Sequence, residues 1–108
     1  MREAYIAVVS RGQPMSGSAY TEPYEVGWAG EAIVFARAME KTAGGELVTC
    51  ISPDGVHWVD EGSSLQLPSQ PGVVTFTKLE RFGHFLRFRT TLPENANAKY
   101  IITLSLKE

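Results

Sequence analysis

A chain of 108 residues has room for one hydrophobic core, so a single domain spanning residues 1–108 is expected, without a second lobe for separate chemistry. Apolar residues at 44% and charged residues at 20% exclude a disordered chain, and a net charge of −2 argues against a dedicated nucleic-acid binder. Cys50 is the only cysteine, which excludes an internal disulfide and favours folding in a reducing compartment.

Charge is unevenly placed along the chain. Residues 1–62 hold nine acids and four bases, whereas residues 63–108 hold three acids and six bases. If folding kept these halves apart as faces, identical copies would attract one another head to tail. Met1-Arg2-Glu3-Ala4-Tyr5 lacks the long apolar core of a signal peptide, and no apolar run approaches the roughly 20 residues that span a bilayer. Synthesis in a cytoplasm is the expectation, with export by a dedicated machine as the alternative and no membrane partner.

Strand periodicity runs through nearly the whole chain. Tyr5 to Val9 is rich in β-formers and is followed by Arg11 to Ser18, a loop by composition. Tyr20 to Val26 reads as a short strand that Pro23 confines to a sheet edge or a bulge, and Gly27 to Gly30 turns the chain. Glu31 to Lys41 suits a strand with Val34, Ala36 and Ala38 on one face; a helix packed on a sheet is the alternative. Ala43-Gly44-Gly45 and the run Glu46 to Ile51 then complete a hairpin pattern.

Ser52-Pro53-Asp54-Gly55 is the strongest local signal in the chain. Pro53 presets φ for a turn, Asp54 can accept hydrogen bonds from the backbone ahead of it, and Gly55 tolerates positive φ. A short strand, Val56 to Asp60, should follow, with Trp58 supplying a large apolar body to the core. Glu61 to Gly72 reads as a long connection. Val73 to Leu79 alternates, with Val74 and Phe76 on one face and Thr75 and Thr77 on the other. Phe85 to Thr91 buries Leu86 and Phe88 and projects Arg87 and Arg89 outward. Pro93 to Ala98 is a polar loop, and Tyr100 to Leu106 closes the domain. About eight short strands at this spacing predict an all-β fold, a single antiparallel β-sandwich or jelly roll.

Ile51-Ser52-Pro53-Asp54-Gly55-Val56-His57-Trp58 followed by Phe82-Gly83-His84-Phe85-Leu86-Arg87-Phe88-Arg89 resembles the hairpin and later aromatic strand of discoidin and coagulation-factor C-type jelly rolls. Small β-sandwich structural proteins of phages and prophages look similar over the same stretch. The likeness covers a little under half of the chain. It implies a fold; the chain is shorter than a discoidin domain and lacks that family's disulfide and N-terminal binding region, so no ligand-binding residue follows from it.

No catalytic constellation stands out. Cys50 lies mid-strand in an apolar run, where a thiol behaves as a small hydrophobe, and Cys50, Asp54 and His57 have no recognised metal-ligand spacing. Asp60 and Glu61 are adjacent and would point to opposite faces of a strand, so they make no acid–base pair. Catalytic residues, cofactor and metal are therefore all expected to be absent. Tyr20, Tyr24 and Trp28 around a glycine-rich turn could stack on a glycan or anchor a protein; alternatively, Trp28 plugs one end of the sandwich. Arg87 and Arg89, with Lys78 and Arg81, form the basic cluster, either a solvated face or a seat for an acidic neighbour. These features predict a non-enzymatic assembly protein, a phage virion component such as a capsid decoration or cement protein. Its partners would be itself and a capsid or other assembly protein. The alternative is a carbohydrate-binding module of discoidin-like type.

Overall fold

The computed structural model describes residues 4–93 and 97–108, whose backbone forms nine strands. These are β1 (Ala4–Ser16), β2 (Ser18–Tyr20), β3 (Tyr24–Glu25), β4 (Glu31–Ala38), β5 (Gly45–Ser52), β6 (Val59–Leu67), β7 (Val74–Glu80), β8 (Phe85–Thr91) and β9 (Asn97–Lys107). One sheet has the order β1-β9-β4-β7 and the other β2-β8-β5-β6, with β3 also pairing β8, and every pairing is antiparallel. The chain passes from one sheet to the other at nearly every connection, which gives a β-sandwich with jelly-roll strand order. The strand reading of Glu31 to Lys41 holds, and Pro23 sits in the gap that divides β2 from β3.

The core lies between the sheets. Val34, Ile102 and Leu104 from the four-stranded sheet meet Leu47, Leu86 and Phe88 from the five-stranded sheet, all fully buried. Tyr100 is buried with them, and its hydroxyl donates to the Pro68 carbonyl at 3.0 Å, which removes the cost of taking that polar end out of water.

Several boundaries differ from those the sequence suggests. The segment Arg11 to Ser18 is not a loop through most of its length, because β1 runs on to Ser16 against β9 with irregular register at Val8/Ser10 and Arg11/Pro14. As an edge strand β1 can hold Pro14 without losing a ladder bond on both sides. Glu61 to Gly72 is likewise mostly strand: β6 continues to Leu67 because Leu65 and Leu67, spaced by two, both turn into the core. β4 and β5 are no hairpin, since they belong to different sheets. Of the polar loop expected at Pro93 to Ala98, residues 94–96 lie outside the described residues, and Asn97 and Ala98 belong instead to β9, paired with Ser16 and Met15. The acidic and basic halves of the sequence do not survive as faces either, because β1 and β4 interleave with β7 and β9 in one sheet.

β7 keeps the expected alternation, and the structure settles which of its faces is buried. Thr75, Thr77 and Leu79 point inward, while Val74 and Phe76 point to solvent together with Lys78 and Glu80. Burying Val74 and Phe76 would have buried that lysine and glutamate as well, and two unpaired charges cost more than two exposed apolar side chains.

Candidate functional site

The outward positions of the five-stranded sheet follow from β8. Leu86, Phe88 and Thr90 are buried, so Phe85, Arg87 and Arg89 face out. Register places Cys50 beside Arg87, Tyr20 and Val48 beside Arg89, and Asp60 beside Cys50. The result is a compact cluster. Arg87 lies with its guanidinium carbon 4.0 Å from the centroid of the Tyr20 ring and 4.5 Å from that of Trp58, a cation held between two aromatic faces. Arg89 makes a two-pronged bond to Asp60, 3.0 and 3.1 Å long. Those bonds hold the Asp60 carboxyl below the ordinary range and, together with the Tyr20 hydroxyl, hold Arg89 above its own.

Trp58 therefore lies outside the core. It begins the return from the Ser52–Gly55 turn and covers Arg87 instead of packing between the sheets. Arg87→Ala removes the filling of this aromatic clamp, and stacking of this kind contributes about 0.5–1 kcal/mol per partly exposed face. The variant should lose about 1–2 kcal/mol in a urea titration, rather than the near-neutral change of a solvated arginine. A loss indistinguishable from zero would show that the clamp is only an apposition.

Cys50 is buried beneath this cluster with its Sγ 3.6 Å from Asp60 Oδ1. Burial first, and then the neighbouring carboxylate, raise its pKa, so the thiolate needed for nucleophilic chemistry is disfavoured. His57 is engaged elsewhere, with its Nδ1 2.7 Å from Asp54 Oδ2. Among the described residues no three His, Cys, Asp or Glu side chains are grouped so as to hold a metal ion.

The Ser52–His57 turn is built as its sequence suggests. Asp54 Oδ1 accepts from the backbone N–H groups of Val56 and His57, both at 2.8 Å, and Ser52 Oγ accepts from Gly55 N at 2.8 Å. Gly55 has φ of 80°, where a side chain would strain the backbone. The backbone bond from His57, its ring and the bond from Val56 hold the Asp54 carboxyl well below the usual range. A carboxylate with a depressed folded-state pKa contributes stability that is complete above its unfolded value, about 3.9, and is lost as pH falls below it. Wild-type melting temperature should therefore fall more steeply than that of Asp54→Asn as pH drops from about 5 toward 3. Parallel curves for the two proteins would remove this turn from the pH response.

Of the aromatic candidates, Tyr20 meets the arginines. Tyr24 and Trp28 are half-buried and pack against the core at one end of the sandwich, so the three rings form no common platform. The basic cluster divides too. Lys78 stands on the outer face of the other sheet and Arg81 in the β7–β8 connection, where it takes φ of 57°.

The surface that sequence reasoning missed is the outer face of the four-stranded sheet. Ile6, Ile33, Phe35, Val74, Phe76 and Ile101 share it, with Ile6 68% exposed, Phe76 56% and Val74 52%. Phe35 pairs with Phe76 across β4 and β7, with ring centroids 6.1 Å apart. Shallow depressions of about 220 Å³ and 440 Å³ flank this pair, one at Arg37, Val74 and Ile101, the other at Glu31, Ile33 and Lys78. The available signal was β4 itself, apolar at Ile33 and Phe35 as well as at Ala32, Val34 and Ala36.

No family model and no curated protein matches the chain. Solved structures do. The PBSX exported protein XepA superposes with a TM-score of 0.71 at 14% identity, over 94% of this chain and 36% of that one. The SPBc2 prophage-derived protein YomS gives 0.62 at 9% identity, over 100% of this chain and 96% of that one. The CBM36-1 domain of a multidomain xylanase from the hindgut metagenome of Trinervitermes trinervoides gives 0.55 at 7%, over 96% of each chain. The likeness is one of fold. This chain thus spans about a third of XepA and nearly the whole of YomS, and it shares a β-sandwich with phage-derived proteins and with a carbohydrate-binding module.

Proposed function

We propose that this protein is a non-enzymatic assembly module, a phage virion component of the capsid-decoration or cement kind that works through protein–protein contacts. The observation that carries the reading is the apolar outer face centred on Phe35 and Phe76. A contiguous patch of large apolar side chains is unfavourable in water and marks a surface that functions covered. The fold likeness to XepA and YomS supports a phage setting, and the raised thiol pKa of Cys50 supports the absence of nucleophilic chemistry. Synthesis in the host cytoplasm and residence in the virion complete the proposal. The test is incorporation: Phe76→Lys should fold normally, yet fail to co-purify with the particle or assembly that retains the wild type. Equal retention of the two proteins would overturn the reading.

A carbohydrate-binding role has one observation of its own, the Tyr20 and Trp58 rings on the outer face of the five-stranded sheet of a fold shared with a carbohydrate-binding module. Arg87 already fills the space between those rings, which weighs against sugar stacking there. A glycan array separates the readings, since an assembly module has no reason to retain sugars.

A further inference from the structure

The outward side chains of β4 read Glu31, Ile33, Phe35, Arg37, an acid and a base enclosing two apolar residues. The order is self-complementary when the strand is reversed. Neighbouring strands extend the pattern. Glu80 lies level with Glu31 at one end of the face, and Lys99 lies beyond Arg37 at the other, with Phe76 and Thr103 in the row between. Lys107, beside Glu31, is the basic exception at the acidic end.

We infer that this face binds a second copy of the chain, the two sheets packing through a two-fold axis that lies in the interface and runs across the strands near Val34. The inference rests on reading the face as a protein-binding surface and names the partner. Packed sheets keep their strands aligned to within about 30° and stand about 10 Å apart. Only two kinds of two-fold axis satisfy that alignment, one along the strands and one across them. The axis across the strands lays every strand on its own counterpart, reversed. Glu31 then faces Arg37 of the second copy, and Arg37 faces Glu31. Ile33 faces Phe35 of the second copy, and Lys78 lies over its Phe76 ring.

The other axis serves the apolar centre of the face less well. Placed between β4 and β9, it lays β4 on β9 of the second copy, which pairs Glu31 with Lys107 but sets Arg37 over Ile101 and Phe35 over Thr103. An aromatic ring at the centre of the face is then covered by a hydroxyl, whereas the first arrangement sets Ile33 on Phe35 there and pairs both charges of β4, with Glu80 over Val74 and Lys107 over Ile101 left at the rims. The chosen contact is isologous and closes on itself, so it ends at a dimer rather than a fibre. Glu31 and Arg37 are roughly 20 Å apart along the strand, at opposite rims of the apolar centre. Their pairing therefore fixes register while the apolar residues supply the affinity.

Sedimentation equilibrium at micromolar concentration tests this. The wild type should dimerise, Phe76→Glu should be a folded monomer, and Glu31→Arg and Arg37→Glu alone should each weaken association roughly ten-fold or more by opposing like charges. Mixing Glu31→Arg with Arg37→Glu should restore association as a heterodimer, because the two faces then carry opposite charge at both rims. The double variant, both changes in one chain, should dimerise with itself again. All these charges are exposed, so the variants remain informative even where Phe76→Glu fails to fold. A wild type monomeric throughout this range overturns the inference, as does a dimer in which the two charge variants show no mutual rescue. If the wild type is monomeric but Phe76→Lys still drops out of its particle, the inference fails while the assembly reading stands, with a different protein on the same face.

Discussion

Phe88→Ala should cost about 3–5 kcal/mol, whereas Phe76→Ala should change monomer stability by less than about 1 kcal/mol. Both residues are phenylalanines in strands, so the contrast isolates the face on which each ring lies. Phe88 is fully buried in β8, and the backbone that carries it is fixed on the edge side by Thr21, whose N–H donates to the Phe88 carbonyl at 2.9 Å while its hydroxyl accepts from Phe88 N at 3.0 Å. A frame held at the backbone collapses poorly into a cavity, which places the cost at the upper part of the range. For a domain whose whole stability is expected to be about 5–15 kcal/mol, that leaves the variant barely folded. Phe76, by contrast, is more than half exposed, so its removal leaves no buried cavity and forfeits mainly the packing against Phe35. Urea titrations of both variants decide the matter. Similar midpoints would mean that β7 buries the opposite face from the one described.

That contrast also marks how far the sequence could be read. Alternation fixes the period of a strand without fixing its phase, and the phase was legible only where one face was plainly charged. In β8 the arginines left no choice, so Leu86 and Phe88 were placed correctly. In β7 the rival face held threonines, and the phase is decided by Lys78, Glu80 and Leu79 at the far end of the strand. The turn at Ser52–Gly55 was legible because every bond in it is local. Trp58 was not, because its partner Arg87 reaches it only after β8 has paired with β5. Arg87, Arg89 and Tyr20 do meet on one face, as their register requires, but Tyr24 and Trp28 turn toward the core by a tertiary choice that local pattern does not carry. The apolar face of the four-stranded sheet was hidden for a related reason. Its members come from β1, β4, β7 and β9, and only the jelly-roll order makes them neighbours.

The same order makes Gly45 a position with no spare room, and Gly45→Ala should destabilise the domain by about 3 kcal/mol. Gly45 opens β5 just after the chain crosses from the four-stranded sheet, and a Cβ there would meet the Thr91 carbonyl oxygen at 2.5 Å and Leu92 Cδ2 at 2.7 Å. The carbonyl belongs to the backbone of β8, which is paired on one side with β5 and on the other with β2, so it cannot swing away as a side-chain tip would. Either β5 shifts outward and strains the Leu47–Thr90 and Glu46–Thr91 pairs, or the end of β8 gives way together with buried Leu92. Gly17→Ala is the control. That glycine has φ of 60° and nothing within 4 Å of an added Cβ, so its penalty is the backbone strain alone, about 1 kcal/mol. Thermal melts should therefore rank Gly45→Ala clearly below Gly17→Ala, although only the second lies in the left-handed region. The reverse ranking would show that the start of β5 can move away from β8, and that the crossover into the five-stranded sheet is looser than its packing implies.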